Sequence, residues 1–363
     1  MGGELNDTLT GNILANSLTG GGGNDTLTGA SGNDSYLFDT DLALGTDTVN
    51  ESGGGIDTLN FSSTTTQAIT VNLSLATVQL INTNLSLNLQ SATTIENGIG
   101  GLQNDSLIGN TLANSLTGLA GNDTLTGGTG DDIYAFDTDT SLGSDTIVEA
   151  PASGGNDTLD FSTTTTIGIE VNLSFAIAQV VNTNLTLVLS AGNSIENASG
   201  GSQSDILIGN SLANSLLGNS GDDVLSGLAG NDALVGGPGK NLLLGGFGAD
   251  SLTGGTSEDL MLGARYLLEN DIDALTNLRV EWVSASSFSD RVGHLLGTIA
   301  SGLNAGFTLN PATVKEDFAP DTLTGGTGKD WYLRNSSDAV LLQRDTLVDA
   351  DVDSVFEEIS TWL

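Results

Sequence analysis

The chain has 363 residues, with 45 acidic and 8 basic side chains and a formal net charge of −37. Such a surface repels nucleic acid and anionic membranes, so we expect neither as a partner. The chain has no Cys, which excludes disulfides and thiolate metal sites. It also has no apolar stretch of about 18 residues, so we expect no membrane insertion.

Residues 2–37 form four consecutive nonamers, and each begins with Gly and has an apolar residue at position eight. The repeat starts in register directly after Met1, with no signal peptide before it, so we expect the natural chain to continue upstream. Residues 66–90 then alternate apolar and polar side chains and are rich in β-branched residues. This alternation predicts two or three longer strands.

The same block returns after about 100 residues. Nonamers reappear at 100–135, a second strand-like insert follows at 167–189, and seven nonamers without interruption fill 200–262. An internal repeat of this kind indicates one continuous solenoid. The inserts are then either wider coils of that solenoid or sheets on its flank.

The nonamer predicts a tight turn followed by a short strand. Gly at positions one, two and four allows φ > 0. The last three residues suffice only for a short strand, whose central apolar side chain points inward between small or polar neighbours. Two nonamers make one coil, so each turn stacks on the turn 18 residues later. Because position six is Asp or Asn, stacking brings together carboxylates and carbonyls, which suit a hard cation.

This pattern, Gly-Gly-x-Gly-x-Asp-x-apolar-x, resembles the RTX, or hemolysin-type, calcium-binding repeat. The resemblance implies an all-β fold, a right-handed parallel β-roll or β-solenoid of nonapeptide repeats, with several Ca²⁺ ions between stacked turns. We therefore interpret the position-six residues as candidate metal ligands. They are Asp7, Asp25, Asp34, Asp105, Asp123, Asp132, Asp205, Asp223, Asp232, Asn241, Asp250 and Asp259.

Some turns depart from the pattern at position six. Asn16, Asn114 and Asn214 offer a carbonyl oxygen but no charge. We expect those turns to bind calcium weakly or to hydrogen-bond to each other instead. The strongest site is expected where both stacked turns keep the full pattern, at Asp232 with Asp250.

The composition changes after Gly263, where all the Trp and most of the basic residues lie. Residues 266–283 place apolar side chains at helical spacing and predict an amphipathic helix that caps the solenoid. A Ser N-cap with Asp290 in the first turn predicts a second helix over 286–300. One more nonamer follows at 325–333.

The tail also resembles the C-terminal module of large RTX-like bacterial surface proteins, on its Glu-Trp helix, its Asp-Arg-Val helix and the motif DTLTGGTGKDW. That resemblance implies export by type I secretion with an uncleaved C-terminal signal. Residues 349–363 fit either such a signal or an ordinary terminal helix. We therefore divide the chain into two β-roll blocks at 1–99 and 100–199, a long β-roll at 200–263 and a helix-containing cap module at 264–363.

Motifs of the enzymes that often accompany such repeats do not occur. His294 is the only His, so H-E-x-x-H is impossible, and no Gly-x-Ser-x-Gly is present. We interpret His294 as a packing or surface residue without an evident partner, and we expect no enzyme. The leading hypothesis is an extracellular structural module that folds on binding calcium. The alternative is a self-assembling filament, surface layer or adhesin for ice, glycans or cell-surface components, indicated by Thr runs at 64–66 and 163–166.

Overall fold

The protein is described by a computed structural model over residues 1–149, 155–334, 346–348 and 355–358. The chain divides into two compact units. Unit 1 comprises Met1–Asp160 and Phe175–Ile195, and unit 2 comprises Phe161–Ser174 and Glu196–Leu363. Both are built mainly from parallel strands of about three residues, the length that the nonamer predicts. The four-part division made from the sequence stays a prediction.

The described strands of unit 1 lie side by side in three hydrogen-bonded rows. Row 1 runs Thr8–Thr10, Thr26–Thr28, Gly45–Asn50, Leu85–Asn88, Gln79–Asn82. Row 2 runs Ser17–Leu18, Ser35–Leu37, Thr58–Asn60, Asn97–Ile99, Ser115–Thr117, Ile133–Ala135, Thr158–Asp160. Row 3 runs Thr70–Asn72, Ser106–Ile108, Thr124–Thr126, Gly143–Val148, Leu185–Leu189, Gln179–Asn182.

The described strands of unit 2 form two long rows and one short pair. Row 4 runs Asn197–Ser199, Ser215–Leu217, Ala233–Gly237, Ser251–Gly255, Thr322–Gly326, Thr346–Val348. Row 5 runs Glu170–Asn172, Ile206–Ile208, Val224–Ser226, Leu242–Leu244, Leu260–Leu262, Trp331–Arg334, Val355–Glu358. The short antiparallel pair is Arg265–Tyr266 with Val314–Lys315.

The register confirms that two nonamers make one coil. In row 5, Leu225 pairs with Leu243 and Leu243 pairs with Met261, in parallel and 18 residues apart. These position-eight side chains are fully buried and stack into a column inside the coils. The repeats therefore form the parallel β-roll that the nonamer predicts.

Each insert forms three short strands rather than two or three longer ones. In the first insert, Gln79–Asn82 and Leu85–Asn88 make an antiparallel hairpin that ends row 1. Thr70–Asn72 instead begins row 3, where it pairs in parallel with Ser106–Ile108. The insert thus closes one row of strands and starts another.

The two predicted helices are present, but both are shorter than predicted. Helix α1 spans Ile272–Trp282, and the Asp271 side chain caps it by accepting from the Ala274 N–H. Tyr266, the first residue of the predicted helix, lies in the strand Arg265–Tyr266 instead. Helix α2 spans Phe288–Leu296 with Ser287 as N-cap. None of the described helices is long and apolar enough to cross a membrane.

The helices do not cap the end of the β-roll, which corrects our interpretation of this region. The rows continue past them, because Ser251–Gly255 pairs with Thr322–Gly326 and Leu260–Leu262 pairs with Trp331–Arg334. The helices are therefore an insertion between two coils. They pack on the outer face of row 5, in one apolar cluster with its strands.

The apolar outer face of row 5 explains why the helices pack there. Leu242 and Leu244 flank the inward Leu243, and all three are buried. We expected small or polar neighbours beside every inward residue, and in row 5 this expectation is wrong. Trp282 of α1 and Trp331 lie in the cluster that covers this face.

Two further expectations about the C-terminal region need correction. His294 does have a partner, because its Nδ1 lies 2.8 Å from the Glu281 Oε1. A terminal helix over 349–363 is wrong for Val355–Glu358, which is a strand. The remainder of that segment lies outside the described residues.

Candidate metal sites

The position-six side chains form continuous ladders along the stacked turns. In each ladder the backbone N–H at position six donates to the Oδ1 of the residue one coil later, at 2.7 to 3.0 Å. In unit 2 the predicted pair behaves in this way, and the Asp232 N–H donates to the Asp250 Oδ1 at 2.8 Å. The backbone of one turn thereby fixes the carboxylate of the next.

The second carboxylate oxygen is left over in many of these turns. This Oδ2 atom is buried and has no hydrogen-bond partner in eight of these residues. They are Asp25, Asp34, Asp123, Asp132, Asp145, Asp223, Asp232 and Asp259. A buried, unpartnered carboxylate oxygen is costly, and such groups normally bind a cation or a proton. These oxygens therefore indicate where a hard cation would bind.

The glycine at position one lies directly beside that oxygen. A Cβ added to Gly227 would come closer than 3.0 Å to both the Asp232 Oδ2 and the carbonyl oxygen of Gly245, one coil later. The same space beside Gly218 is lined by the Asp223 Oδ2 and the Gly236 carbonyl. A carboxylate and a carbonyl from stacked coils thus converge on one small space, the oxygen environment that Ca²⁺ prefers. The residues present fit the ion.

The amides of the asparagine turns are satisfied by nearby groups, whereas we expected these turns to bind calcium weakly or to hydrogen-bond to each other. The Asn214 Oδ1 accepts from the Asn210 N–H at 2.7 Å, and its Nδ2 donates to the Glu196 carbonyl at 2.8 Å. Asn114 makes the equivalent bonds in unit 1. These amides bond within their own surroundings and not to each other, so no charge accumulates at those turns.

Asn241 differs from the Asp residues with which it was grouped as a candidate ligand. Its Nδ2 donates to the carbonyls of Gly237 and Gly239, at 3.0 and 3.2 Å. In the neighbouring turns an Asp Oδ2 occupies the corresponding place beside the position-one glycine. The amide therefore bonds to carbonyls that would otherwise face an ion.

Comparison with known families gives two matches. The family described as RTX calcium-binding nonapeptide repeat (4 copies) matches residues 1–36, 199–234, 208–243 and 235–265. The family described as Peptidase M10 serralysin C terminal matches residues 48–150. No curated protein matches the chain.

The chain therefore contains RTX calcium-binding nonapeptide repeats. Its nonapeptide repeats bind several Ca²⁺ ions, so calcium is its cofactor. The matched regions are structural and non-catalytic, and the catalytic domain of M10 peptidases is not among the matches. Both kinds of region are typical of secreted proteins.

In this RTX chain the ladders extend beyond the residues that we selected from the sequence. The Asp47 and Asp145 Oδ1 atoms accept from the N–H groups of Asp25 and Asp123. The missed ladder members are Asp47, Asp57, Asp145, Asp157, Asp321 and Asp330. Most of their turns lack Gly at position one, so the nonamer pattern did not identify these Asp residues. Asp at position six with an apolar residue two positions later was the available signal.

In three predicted ligands of the RTX turns, the Oδ2 accepts a hydrogen bond within the protein. The Asp7 Oδ2 accepts from the Gly3 N–H at 2.6 Å, within the first nonamer. In Asp105 and Asp205 the Oδ2 accepts from the backbone N–H of residues 101 and 201. Their role as ligands stays a prediction, since each oxygen has further lone pairs.

Burial raises the pKa of the ladder carboxyls in the calcium-free RTX chain. It raises the pKa of Asp232 to about 6 and of Asp145 to about 7. For Asp223 and Asp259, the most enclosed of these, the pKa is raised to about 8. The backbone N–H bonds lower these pKa values only in part. Near neutral pH the carboxyls of Asp223 and Asp259 are therefore mostly protonated unless a cation binds to them.

Proposed function

We propose that this protein is an extracellular structural module whose β-roll folds when calcium binds between its turns. The observation that carries the proposal is the set of buried Oδ2 atoms without a partner, aligned along the ladders. Without an ion, folding would bury negative charge against negative charge. With an ion at each site, the same oxygens hold adjacent coils together.

The charge distribution supports this proposal. No Lys or Arg precedes Lys240, and the only His is His294, so unit 1 contains no basic side chain. Its buried carboxylates therefore cannot be neutralised by side chains of that unit. Because a preformed site rarely exists in an unfolded chain, the binding free energy of the ions is also folding free energy.

Calcium dependence also fits export. Extracellular calcium modules have dissociation constants of about 10⁻⁴ to 10⁻³ M, far above cytosolic calcium concentrations. The chain would stay unfolded before secretion and fold outside the cell.

The proposal is tested by far-ultraviolet circular dichroism during a calcium titration. We expect little strand signal in EGTA and a cooperative gain as calcium rises through about 10⁻³ M. The Asp232→Ala, Asp250→Ala double variant should need several-fold more calcium, since it empties the best-formed pair. Strand content that is the same in EGTA and in saturating calcium would contradict the proposal.

Assembly or adhesion is the second candidate function, but the Thr run at 64–66 no longer supports it. Thr64 is buried and its Oγ1 accepts from the Thr40 N–H, while the Thr65 and Thr66 hydroxyls donate to Asp41. This run therefore has internal partners. What favours the candidate is a different set of threonines, in register across Thr8–Thr10 and Thr26–Thr28. Electron microscopy of the same titration samples tests it, and monodisperse particles at all calcium concentrations would count against it.

A further inference from the structure

A third carboxylate enters the ladder where each four-nonamer run of unit 1 ends. In the first block, ligand atoms of Asp34, Glu51 and Asp57 lie within 4.8 Å of one another. All three side chains are buried. Glu51 lies outside the Gly-initiated nonamers, so the repeat pattern does not account for its presence.

The second block builds the same cluster from different residues. Asp132, Glu149 and Asp157 have ligand atoms within the same 4.8 Å limit, and they too are buried. The sequence between the two copies has diverged at many positions, but this arrangement recurs. Two independent occurrences show that it is a feature of the block.

A tyrosine orients each glutamate. The Tyr36 hydroxyl donates to the Glu51 Oε2 at 2.6 Å and accepts from the Gly29 N–H at 2.9 Å. In the second block the Tyr134 hydroxyl likewise donates to Glu149 and accepts from the Gly127 N–H. Because the hydroxyl is itself held by the backbone, the glutamate is fixed in place.

Two carboxylates of each cluster and the tyrosine hydroxyl border one point. A Cβ added to Gly29 would come within 3.0 Å of the Asp34 Oδ2, the Glu51 Oε2 and the Tyr36 Oη. The Asp34 Oδ2 is buried and has no hydrogen-bond partner, and the residue is 1% exposed. An orphaned oxygen thus points at the space that the glutamate also borders.

The equivalent point in the second block lies beside Gly127. There a Cβ would come within 3.0 Å of the Asp132 Oδ2, the Glu149 Oε1 and the Tyr134 Oη. The Asp132 Oδ2 is also without a partner, and the residue is 0% exposed. The unpartnered oxygen is therefore repeated together with the cluster.

Charge decides what can occupy these points. Three buried carboxylates repel one another strongly, and unit 1 has no basic side chain to offset them. All available donors are hard oxygens, which favour Ca²⁺ over softer metals. We propose that each cluster binds a calcium ion, at Asp34–Glu51–Asp57 and at Asp132–Glu149–Asp157.

These tricarboxylate sites differ from the nonapeptide sites in their charge. Calcium affinity rises with the number of charged ligands. The two ions should therefore remain bound at calcium concentrations at which turns with fewer carboxylates have lost theirs. This inference rests on the proposed function and deepens it, because Asp34 and Asp132 are already ladder ligands and the added ligands are Glu51 and Glu149.

The test removes one charge from each cluster in the full chain, by Glu51→Gln with Glu149→Gln. Bound calcium is counted by equilibrium dialysis with elemental analysis. We expect two ions fewer per chain than in the unaltered protein. The matched control is Glu170→Gln, which removes an exposed carboxylate from a strand and should leave the ion count unchanged.

Terbium, a trivalent substitute for calcium that emits when an adjacent tyrosine is excited, gives a second measurement. The Tyr36→Phe, Tyr134→Phe double variant keeps every carboxylate. It removes the two tyrosines that would pass excitation energy to an ion in the clusters. Tyrosine-excited terbium emission should fall by about half, since two of the four Tyr residues are lost. This variant keeps the test informative if the glutamine variant does not fold.

Two results would overturn the proposal. An unchanged ion count in the folded glutamine variant would mean that Glu51 and Glu149 are not needed to hold an ion at these turns. Unchanged terbium emission in the phenylalanine variant would mean that no ion lies beside these tyrosines. Neither result bears on the folding proposal, which is read from the circular dichroism of the unaltered chain in EGTA and in calcium.

Discussion

At position one of the nonamer, glycine is required by its neighbours and not by its backbone angle. We expected φ > 0 at positions one, two and four. The structure shows φ > 0 at positions two and four, for example +99° at Gly246 and +127° at Gly248, but not at position one. Gly227 instead leaves open the space shared by the Asp232 Oδ2 and the Gly245 carbonyl.

Gly227→Ala should therefore weaken calcium binding without straining the backbone. The added methyl group would occupy the space of the ion or displace the Asp232 carboxylate. We expect the calcium midpoint, measured by circular dichroism, to rise several-fold. Gly3→Ala is the matched control, because its Cβ would meet only the Asp7 Oδ2, at 3.8 Å. Equal midpoints for the two variants would show that position one is not part of the site.

The nonamer pattern predicts the ladder well wherever it is complete. Asp232 and Asp250 stack as expected because Gly and Asp stand at the expected positions. Asp47 and Asp145 were missed, since their turns lack Gly at positions one and two. Glu51 could not be found from the pattern either, because its link to Tyr36 spans 15 residues and depends on how the coil closes.

At the scale of elements, local sequence predicts the helices but not where they pack. Ser287 is an ordinary N-cap residue and agrees with the predicted Ser cap of α2, whereas α1 begins after its cap Asp271 and not at residue 266 as predicted. That α1 lies on the flank of row 5 depends on Leu242 and Leu244, which are far from it in sequence. The signal available was the apolar residue on both sides of the inward Leu243.

Arg291 of α2 links the helical insertion to Glu258, which lies in a turn of the β-roll. Its guanidinium pairs with the Glu258 Oε2 at 2.5 Å and lies 4.8 Å from the centre of the Trp282 ring. The side chain is 2% exposed, whereas Glu258 is 30% exposed. The two positive neighbours of Glu258, Arg291 and Lys240, lower the pKa of its carboxyl.

Arg291→Ala should lower the free energy of unfolding of the calcium-loaded protein by about 2 kcal/mol, because it removes a buried guanidinium and its charged hydrogen bonds to Glu258 and to the Trp282 carbonyl. Lys240→Ala removes the other partner of the same carboxylate. Lys240 is 33% exposed, so its loss should cost less than about 1 kcal/mol. Urea unfolding in saturating calcium measures both. Similar losses for the two variants would contradict the role assigned to Arg291.

At the scale of the whole molecule, buried acidity must be balanced by something other than side chains. A net charge of −37 with eight basic residues leaves ions or protons as the available partners. Calcium and protons therefore compete for the same oxygens. This competition makes the stability of the calcium-free and calcium-loaded forms depend on pH in opposite directions.

In the calcium-free chain, burial raises the pKa of Asp47 to about 7, of Asp232 to about 6 and of Asp223 to about 8. An unfolded Asp has a pKa of about 3.9, so the folded state binds more protons above that pH. Stability from these groups is fully present below about pH 4 and is lost as pH rises through 6 to 8.

Without calcium, the strand content should therefore be higher at about pH 5 than at about pH 8. In saturating calcium it should be high at pH 8, and the calcium midpoint should increase as the pH falls, because protons displace the ion. Circular dichroism across this pH range, in EGTA and in calcium, measures both effects. A calcium-free chain with the same low strand content at both pH values would show that these carboxyls do not take up protons on folding.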